Sequence, residues 1–274
     1  MVKFLLLFLF FYLWHGLGIT IGYHRLLAHR ALRCVPIFEY VFVVGGYLAF
    51  QGSPIWWAAI HRAHHRYSDT DLDPHSPKKG IRYALLGWLF DSSYLPHLNL
   101  ATHCKDLIKN KFYKLLEPRG GVIHANALNL LINIAYRALL LYFFGWLVFW
   151  ANITASIGVF SIPQLLNVAC HLPKWGYRNF QNGDDSVNIW WVGILALGEG
   201  WHNNHHAYPG SSRSGIRMYE FDLSWQVIRL ARLLGLVIDA NEPERMLRIV
   251  RPRKAGATQR LRRIKATVSL KKTA

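Results

Sequence analysis

The sequence predicts an all-α integral membrane protein, three transmembrane helices beneath a histidine-rich di-metal cap on the cytoplasmic side. Three observations carry this. Of 274 residues, 52% are apolar and only 17% charged, against about 25% charged in average soluble chains. Long stretches carry no formal charge. Fourteen histidines are present, and most of them fall in tight clusters just beyond the apolar stretches. Disorder and fibrous repeats are excluded by this composition. The three cysteines, Cys34, Cys104 and Cys170, supply neither a disulfide framework nor a C-x-x-C metal or redox pair.

The elements follow in order. Residues 4–23 form twenty uncharged positions, enough to cross a hydrocarbon core of about 30 Å. No small-residue cleavage site follows, so a retained span is expected rather than a signal peptide. Residues 36–52 are apolar but interrupted by Gly45 and Gly46, which suits an interfacial or re-entrant helix. Residues 61–120 are polar. Between Arg119 and Lys174 the single formal charge is Arg137, and two spans are expected, at about 124–144 and 147–171, joined near Gly145. Arg137 inside a span costs about 2.5–3.5 kcal/mol unless it snorkels or faces protein. Residues 221–238 carry an amphipathic period, with Leu223, Val227, Leu230 and Leu234 on one side, and read as a surface helix. Residues 1–240 thus form one membrane domain.

Residues 241–274 form a basic tail. From Pro243 to Ala274 there are eleven Lys/Arg and one acid, Glu244, part of an overall formal charge of +17. No nucleic-acid motif accompanies this charge, and a cytoplasmic tail drawn to anionic lipid is expected. The same rule puts Arg25, Arg30, Arg62 and Lys78, and with them the histidines, on the cytoplasmic side.

Three histidine clusters carry the chemistry. They are His24-x4-His29, His61-x2-His64-His65 and His202-x2-His205-His206. On an α-helix each residue turns about 100°, so offsets of three and four share one face. Each H-x2-H-H set can therefore converge on a metal. An offset of five lies about 140° away. The helix carrying His24 and His29 must end, bend or wrap around the site. Imidazole is a common ligand of Fe, Zn, Cu and Ni, and eight histidines exceed the four of a structural zinc site. Two metals are the economical inference. The isolated His15, His97, His103 and His124 read as ordinary polar residues.

The three boxes resemble those of the membrane fatty-acid desaturases. Gly18-Ile-Thr-Ile-Gly-Tyr-His-Arg25, His61-Arg-Ala-His-His-Arg-Tyr-Ser-Asp69, Asp73-Pro-His75, Gly87-Trp88 and Glu199-Gly-Trp-His-Asn-Asn-His-His-Ala-Tyr-Pro209 look like the acyl-CoA Δ9, stearoyl-CoA-type branch. The compactness, without a cytochrome b5-like extension, resembles bacterial members. That family has four spans, with the first box after the second. Here the box follows the first apolar run.

The resemblance implies removal of two hydrogens from adjacent methylenes of a saturated acyl-CoA or acyl lipid, with O2 reduced to water at two irons. A separate donor, such as a ferredoxin or cytochrome b5, would supply the electrons. His24, His29, His61, His64, His65, His202, His205 and His206 would be ligands. Asn167-Val-Ala-Cys-His171 is similar to the family's N-x3-H, implying His171 as a ninth ligand and Asn167 as holder of a metal-bound water. Asp69, Asp73, Glu199 and Asn203 are candidate partners of the imidazoles. Phe8, Tyr12 and Trp57 are candidates for an acyl tunnel. The membrane would be the cytoplasmic membrane in a bacterium and the endoplasmic reticulum in a eukaryote. The rivals are a di-iron acyl hydroxylase, a non-enzymatic metal transporter or sensor, and a metal-free scaffold.

Overall fold

The computed structural model describes residues 1–95, 98, 100–117 and 122–243. Helix α1, Val2–Leu17, runs without a break into a π-helix over Gly18–Ala28. Together they form one apolar rod of 27 residues, long enough to cross a membrane. Helix α2, Pro36–Tyr47, crosses that rod at glycines. A Cβ on Gly18 would lie 2.2 Å from the Gly46 nitrogen, and one on Gly22 would lie 2.8 Å from the Phe42 carbonyl carbon. Small residues on facing helices let the backbones touch, as in membrane helix pairs. Helix α2 is thereby fixed beside the first histidine box.

Helix α3, Pro54–Tyr67, carries the second box. Ser53 caps it by accepting from the Trp56 N–H, and Pro54 occupies the first turn, where no N–H is needed. Short helices α4 (Ile81–Leu85), α5 (Leu100–His103) and α6 (Lys111–Leu115) follow.

Helix α7 covers Val122–Ala169, a helical length of about 72 Å if straight. It is not straight. Gly145 takes φ 77° and ψ −178°, outside helical space, and the chain folds back there. The Asn152 amide reaches the Tyr136 hydroxyl at 3.3 Å, although sixteen residues on a straight helix would separate them by about 24 Å. The hairpin expected between Arg119 and Lys174 is therefore present, and its bend falls at Gly145. Its outer faces expose Leu131, Ile134, Phe143, Trp146 and Trp150, side chains suited to lipid and to an interfacial aromatic belt.

Arg137 faces protein. It donates to the Asn133 carbonyl and side chain at 3.0 and 2.8 Å and to the Leu48 carbonyl at 2.9 Å, so it holds the end of α2. His15 is a satisfied polar residue of this layer, bridging the Gly45 carbonyl at 2.7 Å and Asn152 at 3.0 Å.

The remaining elements are α8 (Trp190–Leu195), α9 (His202–Ala207), which carries the third box, and α10 (Leu223–Leu233). The all-α expectation needs one correction. Leu32–Cys34 (β1) and Val237–Ala240 (β2) pair antiparallel. The amphipathic period read through residue 238 stops at Leu233, because Gly235 adopts φ 73° and releases the chain into β2. The buried side of α10 consists of Ser224, Trp225, Ile228 and Ala231, while Leu230 and Leu234 point outward. From residue 244 the basic tail lies outside the described residues, as does His97.

Candidate metal centre and acyl cavity

The first box solves its angular problem by winding. In a π-helix the N–H of residue i+5 bonds the carbonyl of residue i. The His29 N–H bonds the His24 carbonyl at 3.0 Å. Two side chains that would diverge on an α-helix are thereby brought together about one turn apart, edge to face with ring centroids 4.8 Å apart.

The histidines form two groups. In one, His24, His29, His61, His65 and His205 bring their ligand nitrogens together. Nε2 of His61 lies 2.8 Å from that of His29 and 3.0 Å from that of His65. Nε2 of His205 lies 2.8 Å from His65 and 3.0 Å from His24. In the other group are His64, His171, His202 and His206. Nε2 of His202 is 3.1 Å from His171 and 3.0 Å from His206. The structure brings together all eight box histidines and His171.

Carboxylates orient the rings from behind. His64 Nδ1 bonds Asp73 at 3.0 Å, His171 Nδ1 bonds Asp69 at 3.0 Å, and His206 Nδ1 bonds Asp184 at 2.7 Å. Glu199 Oε2 lies 2.7 Å from His24 Nδ1, and Oε1 accepts from the buried Arg25. Burial opposes ionisation of Asp69, Asp73 and Glu199. Even so, His171 holds Asp69 below the usual carboxylate range, His64 does the same for Asp73, and His24 with Arg25 for Glu199. Burial first, and the neighbouring rings second, push His29, His61, His65, His202, His205 and His206 well below the ordinary imidazole range. Rings so displaced are neutral at pH 7, the state in which imidazole ligates.

The second group admits a direct test for a cation. Carboxylate oxygens of Asp69 and Asp184 face Nδ1 of His171 and His206, so those rings donate from Nδ1 and present bare lone pairs at Nε2. His202 Nε2 sits about 3 Å from both and has at most one proton to give. His64 Nε2 is buried with no hydrogen-bond partner. Packed lone pairs with no proton between them are costly, and a shared cation removes that cost. An all-imidazole donor set suits iron among other first-row metals.

Beneath the histidines lies a cavity of about 250 Å³. His24, His61, His64 and His202 line one end, and Ile19, Phe50, Trp56 and Val159 line the apolar body. Tyr12 and Trp57 line it as well. The Tyr12 hydroxyl donates to the Leu195 carbonyl at 2.8 Å, and Trp57 Nε1 donates to Gln51 at 3.1 Å. Phe8 does not line it but stacks behind Tyr12, with centroids 5.8 Å apart. Asn167 lines the cavity, one helical turn before His171.

Asn203 departs from expectation. It accepts from the Asn179 and Phe180 N–H groups and donates to the Phe180 and Ser186 carbonyls. It braces a loop rather than an imidazole. Asp184 was not anticipated. Its only signal was the Asn182-Gly-Asp-Asp185 turn in a Gly/Asn-rich stretch before the third box. His75 also escaped notice as more than a motif letter. Its ring lies 4.5 Å from that of His64, and burial lowers it to about 3.

A family model described as fatty acid desaturase matches residues 2–232. The chain is 40% identical over 234 residues to "Delta-9 acyl-lipid desaturase 1" of Arabidopsis thaliana, covering 83% of this chain and 72% of that protein. It is 41% identical to "sn-1 stearoyl-lipid 9-desaturase" of Anabaena variabilis, covering 85% and 82%. It is 40% identical to "Acyl-CoA C20 Delta5-desaturase" of Anemone leveillei, covering 82% and 70%.

Proposed function

The chain belongs to the fatty acid desaturase family, and from that premise we propose that it introduces a cis Δ9 double bond into a saturated fatty acyl chain within a membrane. The observation that carries the proposal is the position of the two imidazole groups at one end of a narrow apolar cavity. His24, His29, His61, His65 and His205 would hold one iron. His64, His171, His202 and His206 would hold the other, with Asn167 toward its water. Two irons bound there would supply O2 activation and hydrogen abstraction, chemistry that side chains alone lack.

The chain's own residues do the rest. Asp69, Asp73, Asp184 and Glu199 fix which imidazole nitrogen faces inward. Ile19, Phe50, Trp56 and Val159 hold the methylenes in a dry slot beneath the rings. Tyr12, tied to Leu195, forms the floor that limits chain length. The rod 2–28 and the two limbs of α7 make three crossings, with the histidines on the cytoplasmic face. The electrons come from a separate redox protein.

The A. thaliana and A. variabilis relatives are named for lipid-borne chains and the Anemone relative for acyl-CoA. Either carrier presents the same chain to the cavity.

The test is expression in a desaturase-deficient host, with gas chromatography–mass spectrometry of acids from the acyl-CoA and lipid fractions separately. Cis-Δ9 monoenes that vanish in His202→Ala/His206→Ala are expected, and the fraction in which they appear first assigns the carrier. A hydroxy acid instead, from the wild type only, would replace desaturation by hydroxylation.

A further inference from the structure

A second site lies outside the metal centre, on the outer side of α10. The loop 213–222 and α10 enclose a groove of about 900 Å³ lined by Arg213, Arg217, Arg229 and Arg232. Two of the acids in its wall do not oppose them. Glu220 and Asp222 are 3% and 2% exposed and turned inward. Glu220 accepts from the Tyr177 hydroxyl, Asn179 and Asn204. Asp222 accepts from Arg25 and from the Ser214 and Trp225 N–H groups. Among the described lining residues the remaining acid is Glu242, 3.9 Å from Arg232. Among the described residues, Arg217, Arg229 and Arg232 therefore stand at a groove with one outward carboxylate, while Arg213 is bonded to the Gly215 and Ile216 carbonyls.

Leucines flank the groove. Leu230, Leu233 and Leu234 form the outward stripe of α10, Leu233 being 85% exposed, and Met218 and Phe221 stand at the rim, also exposed. The depth of this face is set by its contacts with the first apolar rod. The Ser224 and Thr20 hydroxyls are bonded at 2.7 Å, one turn before His24. The Ser224 N–H donates to the Leu197 carbonyl. The preceding Leu195 accepts from Tyr12, deeper along the rod. Helix α8, which ends at Leu195, exposes Trp190 and Ile194. Through Ser224 helix α10 is thus tied to the end of the apolar rod that carries the first box, beside the exposed apolar side chains of α8.

From this we infer that the groove binds the phosphate headgroup of an anionic membrane phospholipid while the leucine stripe of α10 enters the acyl region of the same leaflet. Apolar side chains beside arginines are what an in-plane helix needs. Guanidinium is the side chain best matched to phosphate oxygens. A soluble acidic protein would satisfy the charge but leave the leucines and Met218 to be covered separately.

The experiment uses the purified full chain in mild detergent, incubated with equal phosphatidylglycerol and phosphatidylcholine, with retained lipid read by native mass spectrometry. Phosphatidylglycerol should be retained preferentially. Arg217→Gln/Arg229→Gln/Arg232→Gln should retain at least about tenfold and up to about a hundredfold less of it, with iron content and gel-filtration profile unchanged. The corresponding triple Lys variant should keep it. If the Gln variant does not fold, salt titration of the wild type serves, and retention must fall as salt rises. Equal retention by wild type and Gln variant, or retention indifferent to salt, overturns the inference. So does displacement of the lipid by an equal concentration of inorganic phosphate. Binding of an acidic ferredoxin that is lost in the Gln variant while lipid retention is kept would assign the groove to a protein instead. No arm reads desaturation, so failure here is distinct from failure of the catalytic reading.

Discussion

Four carboxylates stand behind the imidazoles, and Asp184 offers a clean test because, among the described residues, its one hydrogen bond to a box histidine is to His206 Nδ1. Asp184 accepts from His206 Nδ1 at 2.7 Å. Without it, His206 can put its proton on Nε2 and stop ligating. Loss of such a partner costs about 10–100-fold in metal affinity. Asp184→Ala is expected to lower bound iron from two toward one per chain under mild chelation, read by plasma emission. Two irons retained at wild-type chelator resistance would show that His206 needs no such support. At the other end of the cavity, Tyr12 and Phe8 separate by contact. Tyr12 lines the space and Phe8 only backs it. Tyr12→Ala should move the products toward longer chains, and Phe8→Ala should do so more weakly. The ratio of C18 to C16 monoenes measures both, and an unchanged ratio in Tyr12→Ala would remove Tyr12 from the floor.

Among the elements, the crossing of α2 on the π-helix carries most of the geometry of the first box. A Cβ at Gly18 would meet the Gly46 nitrogen at 2.2 Å, and backbone cannot swing aside as a side chain can. Gly18→Ala should therefore part the two elements, at a cost of about 1–3 kcal/mol as for overpacked cores. The thermal midpoint in detergent should fall, and metal should be lost from the group that includes His24 and His29. An unaltered midpoint with full metal content would show that the crossing tolerates separation. This element also marks where sequence reasoning stopped. The 140° between His24 and His29 on an α-helix was readable, and so was the need for a distortion. Which distortion was not readable, because α and π winding differ in the hydrogen-bond register of the backbone, and glycine at 18 and 22 suits both a bend and a close crossing. The second and third boxes needed no such choice, since offsets of three and four converge on any α-helix. The β1–β2 pair was hidden for a different reason. Three or four residues show no period, and Val237 continues the apolar rhythm of α10 past the turn at Gly235. Asp184 was hidden because its partner, His206, lies twenty-two residues away across a loop.

At the scale of the whole molecule, an apolar layer of one rod and a folded-back hairpin supports a cap in which nine buried or half-buried imidazoles stand within reach of one another. A metal bound there would offset the mutual crowding of these rings, so the metal-free protein should be sensitive to acid. The sign follows from the direction of each shift. His29, His61, His65, His202, His205 and His206 sit well below their unfolded value of about 6.5. Above pH 6.5 both folded and unfolded chains hold these rings neutral. Below it the unfolded chain takes up protons that the folded chain refuses, so stability falls as pH falls. His64 opposes the trend. Burial disfavours its charged form, but Asp73 raises it above the ordinary value, so it stabilises most at low pH and loses that contribution as pH rises through its raised value. One raised ring against these six, with His75 lowered as well, does not reverse the sum. Below about pH 4 the depressed carboxyls of Asp69, Asp73 and Glu199 add to the loss, as the unfolded chain protonates them first. The thermal midpoint of chelator-treated protein should thus drop steadily from pH 7 to 5. Iron-loaded protein should hold its midpoint further into acid, because ligated nitrogens are closed to protons until the metal leaves. A metal-free midpoint that is level or rises over that interval would mean that the imidazoles are open to water, and the crowded, dry cap described above would have to be abandoned.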